Sequence, residues 1–274
     1  MEPSTLAPAL LVGLSLGLVL GLLGGGGGIL AIPAFIHVLG MPVDEASTTS
    51  LVVVAIGAAA GLVPHAIAGR VAWRTGALFG VLGGAGAVLG ARAALVADDR
   101  LQLAGLIALI FLAASGMLRE ADDSSLTTMR HRIPVDPTPP ARSTTVATQA
   151  PTRSLSVRVL ASATGVGLVT GFFGVGGGFV AVPALMWGAG LAVRKATATG
   201  LLVIVINSAV ALAARGTGYL PWPVTGELAV AAVVGALGGA LLSHRVPSAM
   251  LKRAFGWLLL IIAAHEVWQL TQLY

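Results

Sequence analysis

The sequence contains no cysteine among its 274 residues. It therefore has no disulfide framework, no thiolate chemistry and no cysteine-based metal site, and we expect neither a metal nor a cofactor. Charged residues are also scarce: 16 Lys and Arg and 11 Asp and Glu make up 10% of the chain, whereas soluble domains carry roughly 25%. This scarcity excludes a soluble enzyme. Together with a mean hydropathy of +0.93, it predicts an all-α integral membrane protein.

A basic surface for nucleic acid is also missing. The isoelectric point is about 10.7, but Lys and Arg are scattered through loops between apolar stretches instead of gathering on one face. These residues are better interpreted as signals of membrane topology, so we expect no nucleic acid as a partner. No Lys or Arg precedes the first apolar run, and we therefore do not expect a cleavable signal peptide there.

Ten apolar segments follow one another along the chain. Most are long enough to cross a bilayer, which takes about 17 to 25 helical residues, but the segments at 29–39 and 179–189 are too short. The others are 6–23, 46–63, 76–96, 101–118, 157–173, 196–214, 224–243 and 251–270. Residues 119–156 are rich in charge, proline, serine and threonine, which predicts a disordered aqueous linker. The expected domains are a membrane repeat at 1–118, this linker, and a second membrane repeat at 157–274.

The two halves of the chain repeat one another. At an offset of 150, residues 21–34 (GLLGGGGGILAIPA) align with 171–184 (GFFGVGGGFVAVPA), with eight identities. The match resumes at Ala46, Thr49 and Leu51 and, after a slip of one residue, at Gly69 and Trp73. The chain is therefore predicted to be a duplicated unit.

Corresponding loops of the two halves differ in charge. Asp44 and Glu45 align with Arg194 and Lys195, and the basic loop between the third and fourth segments aligns with 216–223, which has no charge. Lys and Arg of short loops accumulate on the cytoplasmic side, and inverted repeats with a cytoplasmic linker place more of them there than parallel repeats do. We therefore expect two inverted repeats, each with a glycine-tipped broken or re-entrant helical hairpin plus three spanning helices.

Glycine runs form the tips of the predicted hairpins. Irregular backbone at membrane depth is tolerated only where protein covers it or where it lines a cavity. Glycine lets a ligand approach the backbone, and the free N–H groups at the start of the following helix attract anions, so we expect a small anion between the two tips. The alternative is that the glycines only allow close helix packing. The candidate binding glycines are Gly24, Gly26, Gly27, Gly28, Gly174, Gly176, Gly177 and Gly178.

Four polar side chains in the following segments are further candidates for substrate binding: Thr49, Ser50, Thr199 and Asn207. The hydroxyls can donate to an anion oxygen or cap their own helix, and Ser47 is the expected cap of the first of these helices. Asn207 occupies the position of Gly57 in the first half. Its amide can bind substrate or hold helices together.

Two ionisable residues near helix ends are candidates for gating or proton coupling. His65 can change its charge near neutral pH and thereby couple proton movement to transport, or it can be an interfacial histidine beside the basic loop. Arg215 occupies the corresponding position in the second half. It can form an electropositive entrance for anions, or it can extend to the lipid headgroups.

These features resemble the TauE/SafE family of membrane permeases, which is associated with export of sulfite and organosulfonates. The resemblance covers both halves but not the linker. It rests on the repeated Gly-x-Gly-Gly-Gly, on Pro33 and Pro183, on the Ala-x-x-Thr stretches that start at Ala46 and Ala196, and on His65, Gly69 and Trp73. The second half departs from the pattern, with Arg215 in place of His, Gly200 in place of Ser and Val175 in place of Gly.

The resemblance implies a secondary transporter that moves a small sulfur oxyanion or sulfonate, usually outward, across a bacterial inner membrane. Its partners would be this anion and the lipid bilayer, and the stripes of small residues would also allow a homodimer. An anion channel, which would use the same parts without alternating access, is one alternative. An intramembrane enzyme is another, but it needs a nucleophile and a base within hydrogen-bond reach. Ser208, His37 and His265 match no such motif, so we expect no enzymatic activity.

Overall fold

The computed structural model describes residues 3–24, 27–98, 101–102, 104–112, 114–115, 157–216, 218 and 220–243, and single positions between 257 and 268. The described residues form helices joined by turns, with no strand among them. Eight helices have defined limits: α1 (Pro3–Leu23), α2 (Gly28–Leu39), α3 (Val43–Ile67), α4 (Trp73–Ala94), α5 (Val157–Phe173), α6 (Gly178–Ala189), α7 (Val193–Arg215) and α8 (Trp222–Leu242). The predicted linker at 119–156 and most of the segment at 251–270 lie outside the described residues, so the predicted domain limits stay predictions.

Five of these helices are long and apolar enough to cross a membrane: α1, α3, α4, α7 and α8. Their outward faces expose large apolar side chains, including Leu11 (65% exposed), Val81 (69%) and Leu89 (62%). Soluble monomers rarely expose large contiguous apolar surfaces, whereas lipid-facing helices do so routinely. The prediction of an all-α membrane protein is therefore confirmed.

Each half contains one short helix that follows a glycine tip. Both α2 and α6 have 12 residues, a length of about 18 Å at 1.5 Å per residue, against the roughly 30 Å of a bilayer core. Gly27, at the start of α2, lies against Leu16 and Leu20 of α1, and the rest of α2 lines a groove together with α1. The two helices therefore form a hairpin. Pro33 and Pro183 lie inside the short helices and do not end them.

The long helix after each hairpin begins earlier than the apolar pattern predicts. The first turn of α3 contains Asp44 and Glu45, which suit the positive end of a helix dipole. Ser47 therefore lies inside the helix, and Pro42 occupies the N-cap position. The prediction that Ser47 caps α3 is wrong, because the first turn is part of the helix although the charges of Asp44 and Glu45 interrupt its apolar pattern.

The two halves are held together by helices that pack in pairs across the halves. The first helix of each half packs against the fourth helix of the other half, so that α1 pairs with α8 and α5 pairs with α4. Gly13 lies against Leu228 and Gly21 against Ala236, which shows that α1 and α8 run parallel. Glycines at these positions bring the two backbones so close that an added methyl group would collide with the opposite helix.

The helices α3 and α7 pack against each other, and in addition α3 packs against the α1–α8 pair and α7 against the α4–α5 pair. Gly61 of α3 lies near Leu201 of α7, whereas Val54 of α3 and Ser208 of α7 both lie near Gly176. The residue numbers of the two helices therefore increase in opposite directions, and α3 and α7 are antiparallel. This antiparallel pair positions the polar residues that follow the tips.

Candidate functional site

The two glycine tips meet beside α3 and α7. The backbone of Gly28, at the start of α2, lies against the carbonyl group of Val175 in the second tip, and an added methyl group at Gly28 would collide with it. Val54 of α3 touches both tips, since its Cγ1 faces both Gly28 and Gly176. The structure thus brings the tips of the two halves into direct backbone contact.

The first tip is described at Gly24, Gly27 and Gly28, whereas Gly26 lies outside the described residues. Gly24 has a φ angle of 70°, and its backbone packs against the methyl group of Thr197 in the first turns of α7. Gly27 has a φ angle of −63° and packs against Leu20 of α1. The side-chain atoms nearest to this tip are therefore carbon atoms, and its other close neighbours are backbone groups.

The second tip has polar neighbours. The Ser50 hydroxyl donates a 2.6 Å hydrogen bond to the carbonyl oxygen of Gly174. Gly176 faces Val54 and Ser208, and Gly177 lies against the hydroxyl of Thr170. The structure therefore places Ser50 at the tip of the other half of the chain, where it holds a backbone carbonyl.

Both short helices begin at these tips without a side-chain cap. Gly178 is the first residue of α6 and is buried, as Gly28 is for α2. The first N–H groups of a helix have no partner within the helix and carry about half a positive charge together. The arrangement therefore directs two partially positive helix ends into one buried region of the protein.

Thr49 and Thr199 are equivalent in the repeat but differ in their hydrogen bonds. The Thr199 hydroxyl accepts a 3.0 Å hydrogen bond from the backbone N–H of Ala72, just before α4. The residue that corresponds to Ala72 in the second half is Pro221, which has no N–H group. The Thr49 hydroxyl is fully buried and finds no partner among the described residues. Thr199 therefore has a structural role, and Thr49 retains an unused hydroxyl.

Asn207 and Ser208 are fully buried neighbours on α7, and none of their side-chain polar atoms has a hydrogen-bond partner in the described structure. They lie on different faces of the helix. The Asn207 amide packs against Gly83 of α4, with both amide atoms 2.8 Å from the position of a methyl group added there. The Ser208 hydroxyl faces Gly176 instead. The structure therefore brings Ser208 to the tip, and it places Asn207 in the contact with α4.

Arg215 binds the end of the helix that leads to the second tip. Its guanidinium group donates to the carbonyl oxygen of Gly171 at 3.1 and 3.3 Å and to that of Phe172 at 2.6 Å. His65 lies close to the backbone carbonyl of Gly21, the residue equivalent to Gly171, but without good hydrogen-bond geometry. Both side chains therefore contact the helix end that precedes a tip. Their proposed roles in gating or proton coupling stay predictions.

Two contacts of the second tip were not expected from the sequence. Thr170 lies one helical turn before Gly174, where its hydroxyl touches Gly177 while donating to the carbonyl of Val166. For Ser208 the sequence suggests a candidate nucleophile of an enzyme and gives no sign of a contact with the tip. Spacing from the tip could have indicated Thr170, but no local signal indicates Ser208, because it lies about 30 residues beyond the tip in sequence. Within the described ranges, no three His, Asp or Glu residues lie close enough to hold a metal ion.

Comparison with known proteins agrees with this architecture. The sequence family described as "Sulfite exporter TauE/SafE" matches residues 9–265. The chain belongs to the TauE/SafE family. Two proteins of Xylella fastidiosa, from strains Temecula1 and 9a5c, are each 31% identical to it over 259 residues, which cover 92% of this chain and 91% of the relative. Both are named "Probable membrane transporter protein". No solved structure matches.

The predicted TauE/SafE resemblance is thus confirmed over both halves. With the family, the names of the relatives and five apolar helices in agreement, the protein is a multi-pass membrane transporter. These names describe transport and not an enzymatic reaction.

Proposed function

We propose that this TauE/SafE protein is a secondary transporter that exports a small sulfur-containing anion, sulfite or an organosulfonate, across a bacterial inner membrane. The observation that carries the proposal is the backbone contact between the two glycine tips, at Gly28 and Val175. Two uncapped helix ends converge there, and such ends bind anions through their N–H groups and their dipoles. The printed name of the family supports sulfite as the first substrate to test.

The arrangement of the helices also supports alternating access. One hydrophobic cluster joins α1, α2, α3 and α8 and includes Val175 of the second tip with Leu201 and Ile204 of α7. A second cluster joins α4, α5 and α6 with other residues of α7, so that α7 borders both clusters. The tips lie where these two groups meet. Movement of one group against the other would expose the tips first to one side of the membrane and then to the other, as in other transporters built from repeats.

We further propose that the repeats are inverted, with the linker in the cytoplasm and both termini outside. The parallel pairing of α1 with α8 and the antiparallel pairing of α3 with α7 support opposite directions for equivalent helices. Since the chain has no cysteine, single exposed cysteines can report topology directly. Ala68→Cys, after α3, should react with a membrane-impermeant maleimide only after permeabilisation, and Gly218→Cys, before α8, should react in intact cells. Labelling of both from the same side would contradict the inverted arrangement.

Transport is tested with the purified full chain in proteoliposomes. We expect saturable sulfite flux that is accelerated by sulfite on the opposite side, because a carrier returns faster when loaded. Gly28→Ala should abolish flux, because its methyl group separates the tips, whereas Gly165→Ala, where a methyl group meets open space, should retain it. A channel would show flux without saturation or trans-stimulation. Absence of flux for sulfite, sulfoacetate, taurine and sulfate would contradict the proposal.

A further inference from the structure

We propose that the anion is bound at the second tip alone, with Ser208 as its hydroxyl donor, and that the first tip has a structural role. The inference rests on the proposed transport function and specifies which half of the duplicated site binds the substrate. The two halves differ both in the side chains that face the tips and in the backbone of the tips.

Three residues with a hydroxyl group contact the second tip, and the residues aligned with them in the first half have none. A fourth pair, Ser47 at Gly174 and Thr197 at Gly24, carries a hydroxyl in both halves. Ser50, Thr170 and Ser208 contact Gly174, Gly177 and Gly176, respectively. The residues at the equivalent positions are Gly200, Leu20 and Ala58. Leu20 packs against Gly27, and Gly200 lies near the carbonyl oxygen of Gly24, so these two counterparts keep the equivalent locations, and Ala58 is the counterpart of Ser208 by sequence alignment. At these three positions, hydroxyl groups are therefore present in the contacts of the second tip and absent from their counterparts.

The three hydroxyl groups differ in whether they already donate a hydrogen bond within the protein. Ser50 donates to the carbonyl of Gly174, and Thr170 donates to the carbonyl of Val166. Ser208 is fully buried and has no partner among the described residues. An unpaired buried hydroxyl lowers stability, and of the described buried hydroxyls without a partner, Thr49, Ser208 and Thr225, Ser208 is the one that faces a tip glycine. Ser208 is therefore the group that remains able to donate to a ligand oxygen.

The backbone of the second tip differs as well. Gly177 has a φ angle of 63°, whereas Gly27, its counterpart, has a φ angle of −63°. Glycines with positive φ next to right-handed residues can turn successive N–H groups towards one point and so form an anion-binding concavity. The start of α6 lies directly after Gly177 and adds its free N–H groups. A small oxyanion, which accepts hydrogen bonds through several oxygens, fits this combination of backbone N–H groups and one serine hydroxyl.

The test compares three variants of the full chain, purified in detergent, with the wild type. Ser208→Ala removes the proposed donor. Ala58→Ser adds the same hydroxyl at the equivalent position of the first tip. Thr225→Val removes another buried hydroxyl without a partner, at the start of α8, and controls for the loss of a buried polar group. Sulfite affinity is measured by calorimetric titration, and thermal stability is measured without anion.

We expect Ser208→Ala to weaken sulfite binding about tenfold or more, the effect of losing one hydrogen bond to a charged ligand. Without anion, Ser208→Ala should melt at the same temperature as the wild type or higher, because an unpaired buried hydroxyl is removed. Thr225→Val should likewise melt at the same temperature as the wild type or higher, without a loss of sulfite affinity. Ala58→Ser should leave the sulfite affinity unchanged. A variant that only failed to fold would melt at a lower temperature, so this result for Ser208→Ala would assign the serine to packing and overturn the proposal.

Two further outcomes separate this inference from the proposed function. If the wild type binds and transports sulfite while Ser208→Ala binds it equally well, the assignment of the anion to Ser208 and the second tip is wrong, and the transport function stands. If the wild type neither binds nor transports any anion of the panel, both are wrong. A gain of affinity in Ala58→Ser would show that both tips bind the anion, which would also overturn the proposal that the second tip binds it alone.

Discussion

Arg215 should be one of the most important side chains for the stability of the second hairpin. Its guanidinium group links the end of α7 to the last carbonyl groups of α5, through three hydrogen bonds to Gly171 and Phe172. These carbonyls have no partner within their own helix, and they form the negative end of its dipole. Arg215→Ala removes the cation and leaves both carbonyls unpaired immediately before the second tip.

The expected loss can be bounded from this geometry. A hydrogen bond to a charged group contributes about 1.5 to 3 kcal/mol, and the contributions of one group are not additive. The favourable interaction with the helix dipole adds about 0.3 to 1 kcal/mol. Because Arg215 is partly exposed, we take the lower part of this range and expect a loss of about 2 to 3 kcal/mol. At about 2 to 4 °C per kcal/mol for a chain of this size, the apparent melting temperature should fall by about 4 to 12 °C.

The assay is thermal unfolding of the purified full chain in detergent, with Arg194→Ala as the matched control. Arg194 lies at the opposite end of the same helix and is exposed, so its replacement should cause no comparable loss. Arg215→Lys should recover part of the loss, because an ammonium group reaches one carbonyl but cannot bridge two as a planar guanidinium does. Equal melting temperatures for the wild type and Arg215→Ala would refute the assignment of this arginine as a helix-end anchor.

Two further pairs of substitutions test the packing. Gly167→Ala should strongly lower the melting temperature, because its methyl group would collide with the backbone of α4. Gly165→Ala on the same helix meets open space and should be neutral or stabilising by up to about 1 kcal/mol. Equal effects of the two substitutions would contradict the close contact between α4 and α5. Thr199→Val should cost about 1 kcal/mol, because the N–H of Ala72 loses its acceptor. Thr49→Val should cost nothing, and a similar loss for both would show that Thr49 has a partner after all.

Much of the fold could be predicted because the relevant signals are local. Apolar segment lengths identified the spanning helices, and the half-length segments predicted α2 and α6 closely. The N-terminal limits of α3 and α7 were less accurate, because their first turns are charged and an apolar pattern does not include them. Ser47 was assigned as a helix cap for the same reason, although the helix starts at Val43.

The candidate site was predicted less completely than the fold. The glycines and Ser50 were identified because they repeat or lie close to a repeated motif. Ser208 was overlooked as a tip residue, since the first half has Ala58 at that position and repetition was the guide. For Asn207 the sequence leaves substrate binding and helix packing open, and the structure places its amide against α4. Adjacent residues of a helix point in directions about 100° apart, so only the packing of α7 decides which of them reaches the tip.

The sequence by itself determined that this is a duplicated membrane protein with two glycine tips, because hydrophobicity, glycine content and repetition are properties of short stretches of chain. Only the tertiary structure decided that α1 pairs with α8, and that Ser50 of one half holds Gly174 of the other. It also decided which buried side-chain hydroxyls form hydrogen bonds within the protein and which have no partner among the described residues. Partners of this kind lie more than a hundred residues apart, and their choice depends on how closely whole helix surfaces fit, which no local pattern records.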